Sequence, residues 1–274
     1  MVIDTHVHFW KYDKKDYEWI DDSMKILQKD YLPEHIERTL KRNDVDGCIA
    51  VQAVMAEVET RFLAELSETH QFIKGVVGWA DLRADNVEKK LSELKAYPSI
   101  KGIRHIVQSE PDDFLYDPSF RRGMARLKEF DFTYDILIFP RQLKAATDLV
   151  SAFPDQTFIL DHCAKPAVRD KEIEGWQKGL RDLASHPNVF CKLSGLTTEA
   201  NWKEWSPADF YPYLDVIFES FGTERLMYGS DWPVMLLSGI YVQWKSLLEK
   251  YMENLLPEEK ERIMGLNAQA VYRL

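Results

Sequence analysis

The chain has 274 residues, a formal net charge of −10 and 45% hydrophobic residues. Its length and apolar content predict one globular domain over residues 1–274 with a large core, and the acidic balance without clustered Lys or Arg argues against nucleic-acid binding. No apolar run approaches the ~18 residues of a membrane-spanning helix. A motif at residue 4 leaves no room for a leader, and three cysteines in predicted strands indicate reduced thiols, so we expect a cytoplasmic monomer or homo-oligomer.

Eight apolar runs rich in β-branched and aromatic residues recur along the chain, and each predicts a β-strand. Amphipathic segments with helical spacing separate them. The predicted strands are 2–10, 47–54, 72–82, 100–107, 132–139, 157–164, 189–195 and 225–233. The predicted helices are 33–43, 58–70, 86–97, 118–130, 141–153, 175–186 and 207–221. The tail 238–274 supplies the eighth helix and one extra helix, 258–272, that caps or flanks the rest.

This alternation of nearly continuous apolar strands with helices is typical of a parallel sheet covered by helices, an α/β fold. Eight such units in 274 residues fit one (β/α)8 TIM barrel with an extra C-terminal helix. An open doubly wound sheet would carry a Gly-rich phosphate turn after its first strand. The corresponding stretch, residues 9–12, reads F-W-K-Y and contains no glycine. We therefore predict the barrel.

The two ends of the chain carry the candidate metal ligands. Residues 4–8 read D-T-H-V-H, and on a strand this spacing points His6 and His8 to the same face. Asp231 ends the eighth predicted strand, which in a closed barrel is a neighbour of the first. His6, His8 and Asp231 are therefore predicted to converge, and two neutral imidazoles with a carboxylate are suitable ligands for a divalent metal.

Polar residues also end most of the other predicted strands, where burial without partners would be costly. Active sites of these barrels lie at the C-terminal ends of the strands. The candidate substrate-binding residues are Gln52, Trp79, Arg104, His105, Lys192 and Trp232. Arg104 and His105 are adjacent, so they should point in opposite directions. His162 is a candidate catalytic residue and metal ligand.

Four motifs together resemble the amidohydrolase superfamily, and more narrowly its amidohydrolase 2 branch. They are D-T-H-V-H-F-W at 4–10, G-I-R-H at 102–105, D-H-C-A-K-P at 161–166 and Y-G-S-D-W-P at 228–233. Their order is most similar to the sugar-lactonase group, which includes L-fuconolactonase, L-rhamnonolactonase and 4-sulfomuconolactone hydrolase. The resemblance implies a hydrolase that opens a sugar-acid lactone, such as L-fucono- or L-rhamnonolactone, to the aldonic acid.

The residues are consistent with water as the nucleophile, because no serine or cysteine is paired with its own base. Asp231 is then the general base, and Arg104 with His162 would hold the substrate and its oxyanion. Binuclear members of the superfamily use a bridging residue at the tip of strand four and a histidine on strand five. Here Lys101 lies at the start of strand four, and strand five has no histidine.

We therefore expect at most one divalent metal ion, zinc or manganese, with His6, His8, His162 and Asp231 as ligands. The resemblance also allows metal-independent action, which a strained lactone ester would permit. Two other activities in the same branch stay open. One is a metal-dependent decarboxylase of the aminocarboxymuconate-semialdehyde type, which would release CO2. The other is a hydrolase of a pyrone or muconolactone carboxylate, which needs a second cation.

Arg169 and Lys165, which follow the sixth strand, are candidates for that second cation beside Arg104. A non-catalytic binding protein on a barrel scaffold is the third alternative. It is disfavoured because a binding protein would not need a base beside a chelate. Release of acid from a lactone, release of CO2, or binding without turnover distinguishes these alternatives.

Overall fold

A computed structural model describes all 274 residues, and its centre is one sheet of eight parallel strands paired in sequence order. The strands are β1 Ile3–Val7, β2 Gly47–Val51, β3 Ile73–Gly78, β4 Ile100–His105, β5 Thr133–Ile136, β6 Phe158–Leu160, β7 Val189–Leu193 and β8 Leu226–Tyr228. The two edges join just beyond β8. There the His8 N–H donates to the Trp232 carbonyl at 2.7 Å, and the Asp231 N–H donates to the His6 carbonyl at 2.9 Å.

Helices alternate with the strands and cover the outside of this sheet, which confirms the predicted (β/α)8 TIM barrel. They are α1 Pro33–Arg42, α2 Glu57–Thr69, α3 Val87–Lys95, α4 Pro118–Leu127, α5 Leu143–Ala152, α6 Glu174–Ala184, α7 Tyr211–Phe221 and α8 Tyr241–Tyr251. Helices α1, α4 and α7 have a proline in their first turn, where its missing N–H needs no partner. No helix combines the length and apolarity needed to cross a bilayer.

The C-terminal segment is packed against the barrel and confirms the extra helix. It comprises α9 Pro257–Glu261, a π-helical turn Arg262–Leu266 and α10 Asn267–Tyr272. The predicted helix over 258–272 is therefore present, with a π-helical turn in its middle. At the π turn, Gly265 packs so tightly on the N-terminus that a Cβ would lie 1.9 Å from the Met1 carbonyl oxygen.

The last helix joins an apolar cluster separate from the main core. Ala268, Val271 and Tyr272 of α10 pack there with strand residues. The strand members are Ile3, Ile49, Val51, Val77, Ile159 and Met227. The Lys101 ammonium, at the beginning of β4, donates to the Arg273 carbonyl at 3.3 Å. The C-terminus therefore lies at the N-terminal ends of the strands, opposite the predicted site.

The sixth predicted strand, 157–164, ends early, because β6 stops at Leu160. The next turn includes His162, Cys163, Ala164 and Lys165, whose φ angles are +52°, +53°, +59° and +48°. Left-handed backbone costs roughly 1–2 kcal/mol for each non-glycine residue. The turn is held by its own hydrogen bond from the Lys165 N–H to the His162 carbonyl at 2.8 Å, and Trp176 Nε1 donates to the Cys163 carbonyl at 2.7 Å.

Candidate active site at the mouth of the barrel

Three histidines surround one carboxylate oxygen at the C-terminal ends of the strands. Asp231 Oδ1 lies 3.3 Å from His8 Nε2, 3.8 Å from His6 Nε2 and 3.9 Å from His162 Nε2. The two Nε2 atoms of His6 and His8 are 3.2 Å apart. All four side chains are buried. The structure thus brings together the four residues that the sequence nominated as metal ligands.

The donor atoms of His6, His8 and Asp231 fit one divalent cation. The His8 Nδ1–H donates to the Val51 carbonyl at 2.7 Å, which leaves the Nε2 lone pair for a metal. His6 Nδ1 lies 3.4 Å from Asp161 Oδ1, a carboxylate that can hold the proton of that ring on Nδ1. Two ligands ~2.1 Å from a tetrahedral zinc lie about 3.4 Å apart. His8 Nε2 lies 3.2 Å from His6 Nε2 and 3.3 Å from Asp231 Oδ1, and both distances are close to that value.

The backbone and the charge of Asp231 suit a base. Its φ of +64° places it in the left-handed region that aspartate tolerates better than most residues. Burial acts to raise the pKa of Asp231, but the neighbouring His162 and His8 lower it below the usual value. The carboxylate is therefore ionised at neutral pH. All three histidine contacts are to Oδ1.

His162 is a neutral ring at the same point of the mouth. Burial lowers its pKa to about 4, although Asp231 and Asp161 act to raise it. Its Nδ1 lies 2.9 Å from Ser194 Oγ. The chain beyond β7 can approach the ring this closely because residue 195 is glycine with φ +69°, where a Cβ would lie 2.5 Å from the imidazole.

Beneath these ligands lies a buried network of charges that the sequence analysis missed. Asp161 Oδ2 accepts from Arg104 Nη1 at 3.0 Å, and Asp161 Oδ1 lies 3.0 Å from Lys192 Nζ. Lys192 also donates to Asp135 Oδ2 at 2.5 Å. Burial acts to raise the pKa of Asp161, but Lys192, His6 and Arg104 bring it well below the usual value. Asp135 and Asp161, two carboxylates within otherwise apolar predicted strands, were the sequence signal that could have revealed this network.

Arg104 points into the barrel. Its Nη2 donates to the Gln52 carbonyl, and its Nη1 lies 3.3 Å from His6 Nε2. The Gln52 side chain donates to the Arg104 carbonyl at 3.1 Å, so Gln52 contacts both the backbone and the guanidinium of Arg104. Both residues are buried.

His105 points away from the barrel axis. Its ring stacks on Phe114 with centroids 4.7 Å apart, and its Nε2 lies 2.9 Å from Glu110 Oε1. Trp79 Nε1 donates to His105 Nδ1 at 3.3 Å. Trp232 packs against Phe9 and Tyr31. The side chains of His105, Trp79 and Trp232 are thus engaged with protein groups around the mouth of the barrel.

A cavity of about 460 Å³ opens above the ligands and is lined by His8, His162 and Asp231. Arg104 is the one predicted substrate-binding residue among its lining groups. The others lie outside it: Gln52, Trp79, His105, Lys192 and Trp232. Each of these side chains is engaged instead in the packing, hydrogen-bond or charge contacts described above.

Other lining residues come from the loops after the strands, and of these the sequence analysis weighed only Lys165. Asp16 and Trp19 follow β1, Gln108 follows β4, Leu137 follows β5 and Lys165 follows β6. Trp19 is 38% exposed. The Oε1 atom of Gln108 is buried without a hydrogen-bond partner, a condition that a bound ligand would relieve. Position just beyond a strand end was the signal that could have found them.

Asp4 has a structural role that the first motif did not reveal. Its Oδ1 accepts from the Ser230 N–H at 2.8 Å and the His6 N–H at 3.1 Å, and its Oδ2 accepts from the Tyr241 hydroxyl at 2.8 Å. Burial raises its pKa to about 6. Asp4 therefore ties the first strand to the segment that presents Asp231.

Known proteins match the chain over its whole length. Residues 3–274 match the amidohydrolase family. The chain belongs to that family. An L-fucono-1,5-lactonase of Burkholderia multivorans is 39% identical to this amidohydrolase, with 99% of this chain and 96% of that protein covered. An L-fucono-1,5-lactonase of Burkholderia ambifaria is 33% identical, with 99% and 95% covered.

A solved structure is also similar throughout. The crystal structure of an amidohydrolase from Burkholderia multivorans with bound zinc has a TM-score of 0.97 to this amidohydrolase at 38% identity. The comparison covers 100% of this chain and 99% of that one. The likeness therefore includes the loops at the mouth as well as the barrel.

Proposed function

We propose that this amidohydrolase hydrolyses a sugar-acid lactone, of the L-fucono- or L-rhamnonolactone type, to the aldonic acid. The observation that carries the proposal is an ionised Asp231 among three histidines at the base of a cavity of about 460 Å³. Identity of 39% to an L-fucono-1,5-lactonase over 99% of the chain supports the substrate class.

The lining of the cavity suits a polyhydroxylated ring. Trp19 and Leu137 offer apolar surface for the carbon faces of the ring. Asp16 and Gln108 offer acceptors for hydroxyl groups, and the buried Oε1 of Gln108 has no partner within the protein. A site that pairs its buried polar groups with substrate hydroxyls discriminates strongly against analogues that lack them.

We further infer that His6, His8, Asp231 and the nearby His162 hold one divalent cation, zinc or manganese. When bound, such a cation supplies a Lewis acid and lowers the pKa of water toward ~7. Two observations support this fit. The hydrogen bond from His8 Nδ1–H to the Val51 carbonyl keeps the lone pair on His8 Nε2, and the donor atoms are separated by short distances.

Asp231 acts as the general base in this mechanism. Because the histidines contact Oδ1, Oδ2 is left to take a proton from the attacking water. The water oxygen bonds to the lactone carbonyl carbon, and the ring C–O bond then breaks. The ring oxygen leaves as a hydroxyl group after it takes the proton back from Asp231.

His162 can serve this reaction in either neutral tautomer. Its Nδ1 partner, Ser194 Oγ, is a hydroxyl that can donate or accept. When the hydroxyl accepts, Nε2 carries a lone pair and is a ligand. When the hydroxyl donates, Nε2–H can donate to the lactone oxyanion. Arg104 keeps its Nε without a protein partner as a further donor.

A panel of aldonolactones assayed with a pH indicator tests the proposal. Asp231→Asn keeps the side-chain volume and should lower kcat by ~10²–10⁴ while lactone binding persists, because it removes the base. Asp44→Asn is the matched control, since Asp44 is exposed and has a similar φ of +54°. Prolonged dialysis against a chelator should lower turnover in parallel with metal content.

Near-normal turnover by Asp231→Asn would remove that residue from the mechanism. Failure of every lactone together with release of CO2 from an acidic substrate would favour the decarboxylase. Full activity in dialysed protein that retains less than a tenth of an equivalent of metal would overturn the metal inference alone.

A further inference from the structure

The left-handed turn after β6 places two side chains on the cavity. His162 and Lys165 are three positions apart in this turn, and both line the cavity, whereas Cys163 and Ala164 between them are fully buried in the core. Non-glycine residues with strained backbone of this kind cluster at functional sites, where the surrounding structure holds them in place. The strained turn thus delivers a lysine, as well as a histidine, to the site.

The Lys165 ammonium is sheltered, and its donors are free. Its side chain is 17% exposed, and its Nζ lies 5.4 Å from the centre of the Phe139 ring. The carboxylate paired with it, Glu199, has its Oε1 3.7 Å from Nζ, which is beyond hydrogen-bond distance. An ammonium has three N–H groups to donate. Glu199 holds the lysine in position without consuming them.

The other buried cations of the site are already engaged. Both terminal nitrogens of Arg104 donate within the protein, to Asp161 and to Gln52. Lys192 is enclosed by Asp135 and Asp161 and does not line the cavity. Among the sheltered cations, Lys165 is therefore the one whose terminal nitrogen has donors available to an oxygen of the substrate, whereas Arg104 has only its Nε unpaired.

We propose that Lys165 is a catalytic residue that donates to the carbonyl oxygen of the lactone and then to the product carboxylate. This inference rests on the proposed lactone hydrolysis. When the water oxygen bonds to the carbonyl carbon, the C=O electron pair moves onto the carbonyl oxygen, and the ammonium stabilises that charge. The pair returns as the ring C–O bond breaks. The water proton passes through Asp231 to the ring oxygen, and Lys165 keeps its protons throughout.

The test compares Lys165→Met with Lys165→Arg and a control, Lys171→Met. Lys171 lies on the same loop, has φ +57° and is exposed, so its variant makes the same change in charge outside the cavity. Loss of one oxyanion donor lowers kcat by ~10²–10³, so Lys165→Met should lose about that factor in kcat/KM on L-fucono-1,5-lactone. Its inhibition constant for L-fuconate, the carboxylate product, should rise at least ~10-fold.

Lys165→Arg should recover most of both losses, and Lys171→Met should equal the wild type. The melting temperature and bound metal should stay unchanged in all three, which separates loss of the donor from loss of structure. If Lys165→Met does not fold, Lys165→Gln takes its place. A folded Lys165→Met protein with wild-type kcat/KM and wild-type inhibition by L-fuconate would overturn the inference and leave the proposed function intact.

Calorimetric titration with L-fuconate decides the inference if the wild type hydrolyses no lactone, the outcome that overturns the proposed function. Binding by the wild type and Lys171→Met but not by Lys165→Met would support an anion site at Lys165. Equal binding by all three, or binding by none, would overturn it.

Discussion

Replacement of Lys192 by methionine should destabilise the whole barrel, because this lysine is the buried cation beneath the site. Its Nζ lies 2.5 Å from Asp135, 3.0 Å from Asp161 and 3.3 Å from His6 Nδ1. Lys192→Met keeps most of the volume of the stem but removes the charge. Asp135 is then left with the hydroxyl of Tyr272 at 3.2 Å as its hydrogen-bond partner.

The expected loss follows from the burial of the network. Breaking a buried ion pair by removing one partner costs about 3–5 kcal/mol, because the other charge stays buried. For a chain of this size, 1 kcal/mol corresponds to ~2–4 °C in melting temperature. The melting temperature of Lys192→Met should therefore fall by roughly 6–20 °C.

The loss should also depend on pH. Burial raises the pKa of Asp135 from 3.8 to about 6 even though Lys192 lowers it, so removal of the lysine should raise it further. A carboxyl with a raised folded-state pKa takes up a proton on folding. Its contribution to the free energy of unfolding is most favourable below the unfolded-state pKa. That contribution decreases as the pH rises from the unfolded-state pKa to the folded-state pKa. Lys192→Met should therefore be destabilised more at pH 8 than at pH 5.

Thermal and urea unfolding of the wild type and Lys192→Met at both pH values measures these effects. Lys178→Met, on the exposed face of α6, is the control for loss of a lysine. Lys192→Met/Asp135→Asn should recover part of the loss at pH 8, because the unpaired carboxylate is gone. An unchanged midpoint in Lys192→Met, or a larger loss at pH 5 than at pH 8, would refute the reasoning.

Two further predictions concern residues around the mouth. Burial raises the pKa of Glu59 from 4.5 to about 7, so its carboxyl destabilises the fold increasingly between those pH values. Glu59→Gln keeps an acceptor for the Ala53 and Val54 N–H groups. The difference in urea midpoint between this variant and the wild type should favour the variant more at pH 8 than at pH 5. A difference that does not change with pH would contradict this prediction. His105→Asn loses the stacking on Phe114 and should lower the melting temperature with KM for lactone unchanged; a rise in KM at unchanged stability would instead indicate contact with substrate.

The sequence was sufficient to predict the barrel and the convergence of its two end motifs. Eight apolar runs with helices between them leave few alternatives to a closed parallel sheet. Closure makes β1 and β8 neighbours, so His6, His8 and Asp231 must meet wherever the first and last strands end. The position of His162 at the mouth was also expected, from its place near the C-terminal end of the sixth predicted strand, although that strand ends at Leu160.

The partners of the side chains inside the barrel could not be predicted in this way. Which residues of β4, β5, β6 and β7 meet at one height depends on the stagger of the strands, and spacing along the chain does not report that stagger. Alternation states that Arg104 and His105 face opposite sides but not which side each takes. Asp161 inside the barrel and Glu110 outside it decide the matter.

The turn after β6 shows a second reason why sequence patterns fail at a site. The run 157–164 has the apolar character of a strand and no glycine, so a strand to residue 164 was the natural prediction. Alternation would have put His162 and Cys163 on opposite faces of that strand. The folded chain separates them by a left-handed turn instead, with Cys163 in the core and His162 at the cavity. Local preference disfavours this turn at several successive residues. Its one internal hydrogen bond is therefore supplemented by tertiary contacts such as that of Trp176 Nε1 with the Cys163 carbonyl, and these form only when the barrel is assembled.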